Sequence, residues 1–223
     1  MVEDRGNVES FDESATAFER RQHRARVVQI VLGCLWILDA VLQFQPRMFG
    51  PDLVKQMMLP MAQGQPAPVV WSITNLAHFV EPDAGVWNFF FGALQLGIGV
   101  GMLFRRTVKP AIVAMTIWAF GVWWFGEGFG MLLTGAASPL TGAPGAVVLY
   151  PLVGLLVWPT RPDSAADVAP GIASSAAATG PLGSGAPLLA WSGFWALSAV
   201  LWLFPANRAG GSLGSTLRTA AGG

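Results

Sequence analysis

Two acidic side chains, Asp39 and Glu127, lie within long apolar runs of the sequence, where charge is otherwise rare. Glu127 is the only charged residue between Lys109 and Arg161. An ionisable group inside a membrane segment is costly, and it usually faces the interior of the helix assembly and has a function. Because burial disfavours the charged form of a carboxyl group, either acid could hold a proton near neutral pH. It could then transfer that proton, or donate a hydrogen bond to a carbonyl such as that of a quinone.

Amide side chains fall near the same membrane levels as the two acids. Counted at 1.5 Å per residue from the cytoplasmic end, Asp39 lies about 18 Å into the first apolar run, Gln43 about 24 Å, and Glu127 about 26 Å into the third. Counted from the outer end of the second run, Asn88 is about 3 Å deep and Gln95 about 14 Å. In a hydrocarbon core of about 30 Å these side chains form two neighbouring levels. Three helices could therefore converge on a polar pocket in the outer half of the membrane.

We therefore predict a ligand-binding or proton-transfer site in this pocket. Two further residues, from the segment between the first and second apolar runs, are expected to cover its mouth. Its members are Asp39, Glu127, Gln43, Asn88, Gln95, His78 and Glu81.

A purely structural role is the alternative for these side chains. The pairs Gly97/Gly101 and Gly126/Gly130 match the GxxxG pattern, which usually marks close helix packing. Polar side chains on packed helices often hydrogen-bond only to one another, and a single histidine such as His78 is more often a surface residue than a ligand.

Several kinds of catalytic site are excluded by the residue inventory. The chain has two histidines and one cysteine, too few for a metal site with a dense set of His, Cys and carboxylate ligands. The stretch GEGFG lacks both the third glycine and the preceding strand of a dinucleotide-binding loop. Neither a Ser-His-Asp nor a Cys-His arrangement is recognisable, so no catalytic residue is assigned.

The composition indicates a membrane protein. Of 223 residues, 53% are hydrophobic and 12% are charged, and ten Trp and fourteen Phe accompany a single Tyr. Apolar runs of about 20 residues match the length of a membrane-spanning helix. We predict an all-α, multi-pass transmembrane helical bundle. The formal net charge of zero argues against nucleic acid as a partner, because nucleic-acid binding needs a concentrated basic surface.

Five spans are predicted, the fourth of them short and kinked at Pro151. They cover residues 27–44, 86–104, 110–133, 142–158 and 188–204. The intervening parts are an amino-terminal tail (1–26), an outside segment (45–85), a flexible linker (159–187) and a Gly/Ser-containing tail (205–223).

Lysine and arginine positions predict the orientation. The amino-terminal tail carries five arginines, and the turn after the second span carries Arg105, Arg106 and Lys109. The loops on the other side have few basic residues, so the positive-inside rule places the amino terminus in the cytoplasm. Five spans then leave the carboxyl terminus outside a plasma (inner) membrane.

Within the outside segment, residues 69–80 have apolar side chains at helical spacing: Val69, Ile73, Leu76 and Val80. Twelve residues are too few to span a membrane. We expect this helix to lie at the membrane interface or to cap the helices.

The fifth span resembles the first. WILDAVLQFQP (36–46) and WALSAVLWLFP (195–205) share six of eleven residues without a gap. This predicts that residues 27–158 form one four-helix unit and that a second, parallel unit begins at the fifth helix. The second unit would then follow in a longer chain or come from a separate chain.

The stretches LGCLWILDAVLQFQPRMFG and NFFFGALQLGIGVGMLFRRTVKPA, with the aromatic helix that follows, resemble the DoxX/DoxD-like family of small four-helix membrane proteins over residues 27–133. The resemblance implies an accessory membrane subunit, in some members associated with quinone-linked oxidation of sulfur compounds, and hence an oxidoreductase partner. It carries over no catalytic residue.

Three functions remain open from the sequence. The first is an accessory subunit in the lipid bilayer with an outer-leaflet pocket for a quinone-like or lipid ligand. The second is a proton- or cation-linked transport component, and the third is a purely structural assembly partner.

Overall fold

The computed structural model describes residues 3–135, 137–159 and 185–203, and this part of the chain is helical without β-strands. Short 3₁₀ and π-type turns join its α-helices. The helices are α1 (Glu3–Gln43), α2 (Ala67–Val80), α3 (Ala84–Leu103), α4 (Val108–Gly121), α5 (Leu149–Leu156) and α6 (Gly185–Leu201). The predicted all-α class is confirmed for these residues.

Three apolar helical stretches in the described residues are long enough to cross a membrane: Gln22–Gln43, Ala67–Leu103 and Val108–Gly126. The apolar helices at Ala146–Leu156 and Leu188–Leu201 are shorter. Many large apolar side chains on these helices are exposed. Apolar surface of that extent is typical of protein that contacts lipid or a partner, so the fold is compatible with a membrane protein.

The first helix is longer than the predicted first span. It continues without a break from Glu3 to Gln43, so most of the predicted amino-terminal tail is helical. Glu, Arg, Gln and Ala, which favour helix, are frequent in residues 12–26.

The third predicted span is wrong as a single helix over 110–133. The α-helix α4 ends at Gly121, a π-type turn covers Val122–Gly126, and a 3₁₀ segment follows at Gly128–Thr134. Gly128 and Gly130 adopt positive φ angles of 52° and 62°. Glycine takes this left-handed conformation at little cost, so the glycine-rich stretch turns the chain instead of extending the helix.

The fourth apolar helix covers Ala146–Leu156 and is shorter than the predicted span 142–158, while the kink predicted at Pro151 stays a prediction. Helix α5 covers only Leu149–Leu156, and Pro151 is its third residue. The first-turn N–H groups of an α-helix have no intrahelical acceptor, so proline there removes no hydrogen bond of α5.

Helix α1 packs along α3, and the two backbones come close at Gly33 and Gly99. A Cβ atom added to Gly99 would lie 2.8 Å from the carbonyl oxygen of Gly33. By contrast, a Cβ atom on Gly97 would have no neighbour within 4 Å. Gly97, one member of the predicted Gly97/Gly101 pair, therefore takes no part in this close approach. Helix α4 packs against α3 and α5, and α6 packs against α5.

Helix α2 confirms the helix predicted at residues 69–80. Its buried positions are Val69, Ile73, Ala77 and Val80, with Leu76 partly buried. These side chains pack on the outside segment and on the turn after α4, while Trp71 is 69% exposed on the opposite face. The helix therefore covers the turn after α4.

The predicted linker and carboxyl-terminal tail lie outside the described residues, apart from residues 159 and 185–187. The second copy of the internal repeat is helical up to Leu201. Trp195 there is 51% exposed, whereas its counterpart Trp36 is 2% exposed. A second four-helix unit stays a prediction.

Candidate functional site

A hydrogen bond between helices fixes Asp39, which lies one turn from the carboxyl-terminal end of α1. The Tyr150 hydroxyl of α5 donates to Asp39 Oδ2 at 2.9 Å. The Tyr150 ring also packs on Trp36, with 5.1 Å between ring centroids and an angle of 54° between the planes. Trp36 and Asp39 are three residues apart and therefore share a face of α1. Their common face points toward α5.

This face borders a cleft of about 450 Å³ between α1, α3, α4 and α5. The cleft joins a carboxylate, a phenol, a guanidinium group and several amides with aromatic and aliphatic side chains. Its lining residues are Trp36, Asp39, Leu42, Gln43, Gln45, Arg47, Met48, Met57, Gln95, Trp118, Val122, Val147 and Tyr150. Binding sites for small molecules typically combine a mostly apolar wall with a few polar groups in this way.

The predicted partners Gln43 and Asn88 are brought together, but chiefly by bonds to each other. Gln43 Nε2 donates to Asn88 Oδ1 at 2.5 Å, and Asn88 Nδ2 donates to the Gln43 backbone carbonyl at 2.9 Å. Asn88 is fully buried. These bonds satisfy the carbonyl at the end of α1, so Asn88 is a structural residue, while Gln43 and Gln95 also line the cleft.

Glu127 lies outside the set of residues that line the cleft. Its Oε1 accepts a hydrogen bond at 3.1 Å from the backbone N–H of Val147, in the first turn of the Ala146–Leu156 helix. A carboxylate at that place satisfies an N–H group without an intrahelical acceptor and interacts favourably with the helix dipole. Glu127 therefore caps this helix, and it holds Val147 at the wall of the cleft.

The aromatic turn around Glu127 is held from three sides. Trp123 Nε1 donates to the Pro144 carbonyl at 2.7 Å, and Trp124 Nε1 donates to Ser72 Oγ of α2 at 3.0 Å. Gln65, in the outside segment, donates to the Gly128 carbonyl at 2.7 Å. The turn thus joins α2, the outside segment and the residues just before the Ala146–Leu156 helix.

His78 and Glu81 do not cover the mouth of the cleft as expected. Glu81 lies 3.8 Å from His78 Nδ1 and 3.8 Å from Lys55 Nζ, and His78 is largely exposed. Helix α2 ends at Val80 and a 3₁₀ turn at Glu81–Asp83 joins it to α3, so these two side chains lie near the amino-terminal end of α3. The cleft is lined there by Gln45, Arg47 and Met57 instead.

A second polar cluster lies in the middle part of α1, at Arg26 and Gln29. The Arg26 guanidinium donates to the carbonyl of Met102 at 3.0 Å and to that of Leu103, at the end of α3. Gln29, which is 4% exposed, donates to the carbonyl of Val157 at 2.6 Å, just after α5. One turn of α1 therefore caps the carboxyl ends of two other helices.

Sequence reasoning missed Tyr150, Arg47 and Gln29. A signal for Tyr150 exists, because it is the single tyrosine of a chain rich in Trp and Phe. A tyrosine hydroxyl in an apolar helix normally needs a hydrogen-bond partner. Gln29 lies within the first predicted span and could have been found in the same way.

In the described part of the chain, His, Cys, Asp and Glu side chains form no group of three that could hold a metal ion. Comparisons with protein-family models, with curated proteins and with solved structures find no match to this chain. The resemblance to the DoxX/DoxD-like family therefore stays a prediction from residues 27–133.

Proposed function

We propose that this chain is a membrane protein that binds an amphiphilic small molecule, either quinone-like or a lipid, in the cleft beside Asp39. The observation that carries the proposal is the cleft itself, where a hydrogen-bonded acid, three amide side chains and aromatic rings meet among apolar helices. A polar head would bind near Asp39 and Gln95, while an apolar tail would leave between helices into lipid. We further propose an accessory role beside an oxidoreductase subunit or a second helical unit, in a plasma membrane with the amino terminus in the cytoplasm.

The proposed site contains only some of the residues that the sequence predicted for it. Asp39, Gln43 and Gln95 contribute polar groups to the cleft, together with Tyr150 and Arg47. Asn88 and Glu127 do not line the cleft, but they hydrogen-bond to Gln43 and Val147, which do. A quinone would fit this site as a cofactor because its carbonyl groups accept hydrogen bonds, and Gln95 and Arg47 line the cleft with amide and guanidinium N–H donors.

Native mass spectrometry of the protein purified in a mild detergent tests the proposal. We expect a co-purified amphiphile, and we expect Gln95→Leu to reduce its occupancy about fivefold through loss of one polar contact. Gln63→Leu is the matched control, because Gln63 is exposed and outside the cleft. Protein that carries no amphiphile, or equal loss in both variants, would contradict the proposal. Proton flux in proteoliposomes that depends on Asp39 would support a transport function instead.

A further inference from the structure

The charged groups of the cleft are separated from each other. Asp39 lines the inner part and Arg47 follows the outer end of α1, yet in the described residues neither forms an ion pair. Asp39 accepts one hydrogen bond, from Tyr150, and the Arg47 guanidinium makes none within the described part of the chain. A carboxylate among apolar helices without a cation is costly. A ligand with a positive group would remove that cost.

Aromatic rings line the same cleft as the acid. Trp36, Trp118 and Tyr150 all line the cleft, and Trp36 and Tyr150 pack at 5.1 Å between centroids. The face of an aromatic ring attracts a cation through its quadrupole, and rings arranged around a site are a known means of binding organic ammonium groups. An acid and three aromatic rings thus favour the same class of ligand.

We propose that the cleft binds the ammonium group of a zwitterionic phospholipid head, with the ammonium at Asp39 and the phosphate at Arg47. Arginine pairs well with phosphate because its planar donors match two phosphate oxygens. A lipid is favoured over a soluble zwitterion because Leu42, Met48 and Met57 add apolar walls on which acyl chains can lie. This inference rests on the proposed function and specifies the ligand of the same cleft.

The test uses the full chain in nanodiscs made from equal parts of phosphatidylethanolamine, phosphatidylcholine and phosphatidylglycerol. Native mass spectrometry then measures which lipid stays bound. We expect the two ammonium lipids to be enriched over the glycerol lipid, and Asp39→Asn to reduce that enrichment about tenfold. Arg47→Gln should weaken retention of all three lipids, since each carries a phosphate. Asp39→Glu, which keeps the charge, should restore part of the preference.

Matched controls separate site effects from charge effects. Asp83→Asn and Arg105→Gln make the same charge changes at exposed positions outside the cleft, and they should leave the preference unchanged. Soluble phosphoethanolamine and phosphocholine, added to the detergent-solubilised protein, test the other source. If they bind as tightly as the lipids, the lipid assignment is wrong and a soluble zwitterion is the ligand.

The result also distinguishes this inference from the proposed function. Retention of an amphiphile in the cleft without preference for ammonium would overturn the inference alone. Absence of any retained amphiphile would overturn both. Because Arg47 is exposed, Arg47→Gln keeps the test informative even if a variant of Asp39 fails to fold.

Discussion

Tyr150 Oη and Asp39 Oδ2 lie 2.9 Å apart although 111 residues separate them in the chain. The hydrogen bond ties a short helix of the carboxyl half to the first helix. It also fixes an acid that would otherwise be free to rotate at the wall of the cleft. Such a bond to a charged acceptor is stronger than a bond between neutral groups.

Tyr150→Phe is expected to lower the free energy of unfolding by about 1.5–3 kcal/mol, because the hydrogen bond has a charged acceptor. The ring and its packing on Trp36 remain. Unfolding in mixed detergent micelles measures the change. Asp39→Ala, alone and combined with Tyr150→Phe, completes a double-mutant cycle. Additive effects of the two substitutions would show that the bond contributes nothing.

Gln29→Leu is expected to destabilise the protein by about 1–3 kcal/mol, because it leaves the buried carbonyl of Val157 without its donor. Arg26→Gln should also destabilise, through the carbonyls at the end of α3. Arg24→Gln is the control, since Arg24 is exposed one turn earlier in the same helix. Thermal unfolding compares the stabilities of the three variants. A Gln29 variant as stable as the Arg24 control would disprove the capping role.

Gly130→Ala is expected to be severely destabilising. Gly130 has a φ of 62°, and an added Cβ would lie 2.3 Å from the carbonyl oxygen of Pro144. The backbone strain alone should cost about 1–3 kcal/mol. Gly97→Ala is the matched control, because a Cβ there has no neighbour within 4 Å. In the interior of α3, alanine should instead stabilise by about 0.5–1 kcal/mol. A comparison of melting temperatures reveals whether the two substitutions change the stability in opposite directions.

Glu127→Gln and Glu127→Ala distinguish a helix cap from a proton-transfer group. Glutamine keeps an oxygen that can accept from Val147 N–H, so we expect a small loss of stability. Alanine removes the acceptor, and we expect a loss of about 0.5–2 kcal/mol, as for other helix caps. Ligand retention should change little with glutamine. If that variant is as stable as the native chain but loses ligand or proton-linked activity, the acid has a direct functional role.

The sequence was sufficient to predict where the long apolar helices lie. Helix α3 covers Ala84–Leu103 against a predicted 86–104, and α1 ends at Gln43 against a predicted 44. Asn88, Gly92, Gln95 and Gly99 are spaced as one stripe. Asn88 and Gly99 contact α1, while Gln95 lines the cleft. The long apolar run predicts the helix, and the stripe of small and polar residues predicts the side on which it packs.

The errors lie where backbone conformation decides the outcome. The calculated depth of Glu127 assumes a straight helix through the glycine-rich turn, and left-handed residues there invalidate the assumption. The partners of Asp39 and Glu127 come from residues 147–150, and pairing over such a separation is not encoded in local spacing. For this reason the acids could be identified from the sequence, but their different surroundings could not.

The hydrogen bonds of α1 form late during synthesis of the chain, because their partners are translated after the helix. Its partners lie 45, 76, 111 and 128 residues further along the chain, from Asn88 to Val157. The ribosome therefore completes α1 long before the last acceptor exists. Until then Asp39 and Gln29 are in the nascent chain without Tyr150 and Val157. The first helix completes its hydrogen bonds only when α5 has been synthesised and packs against it.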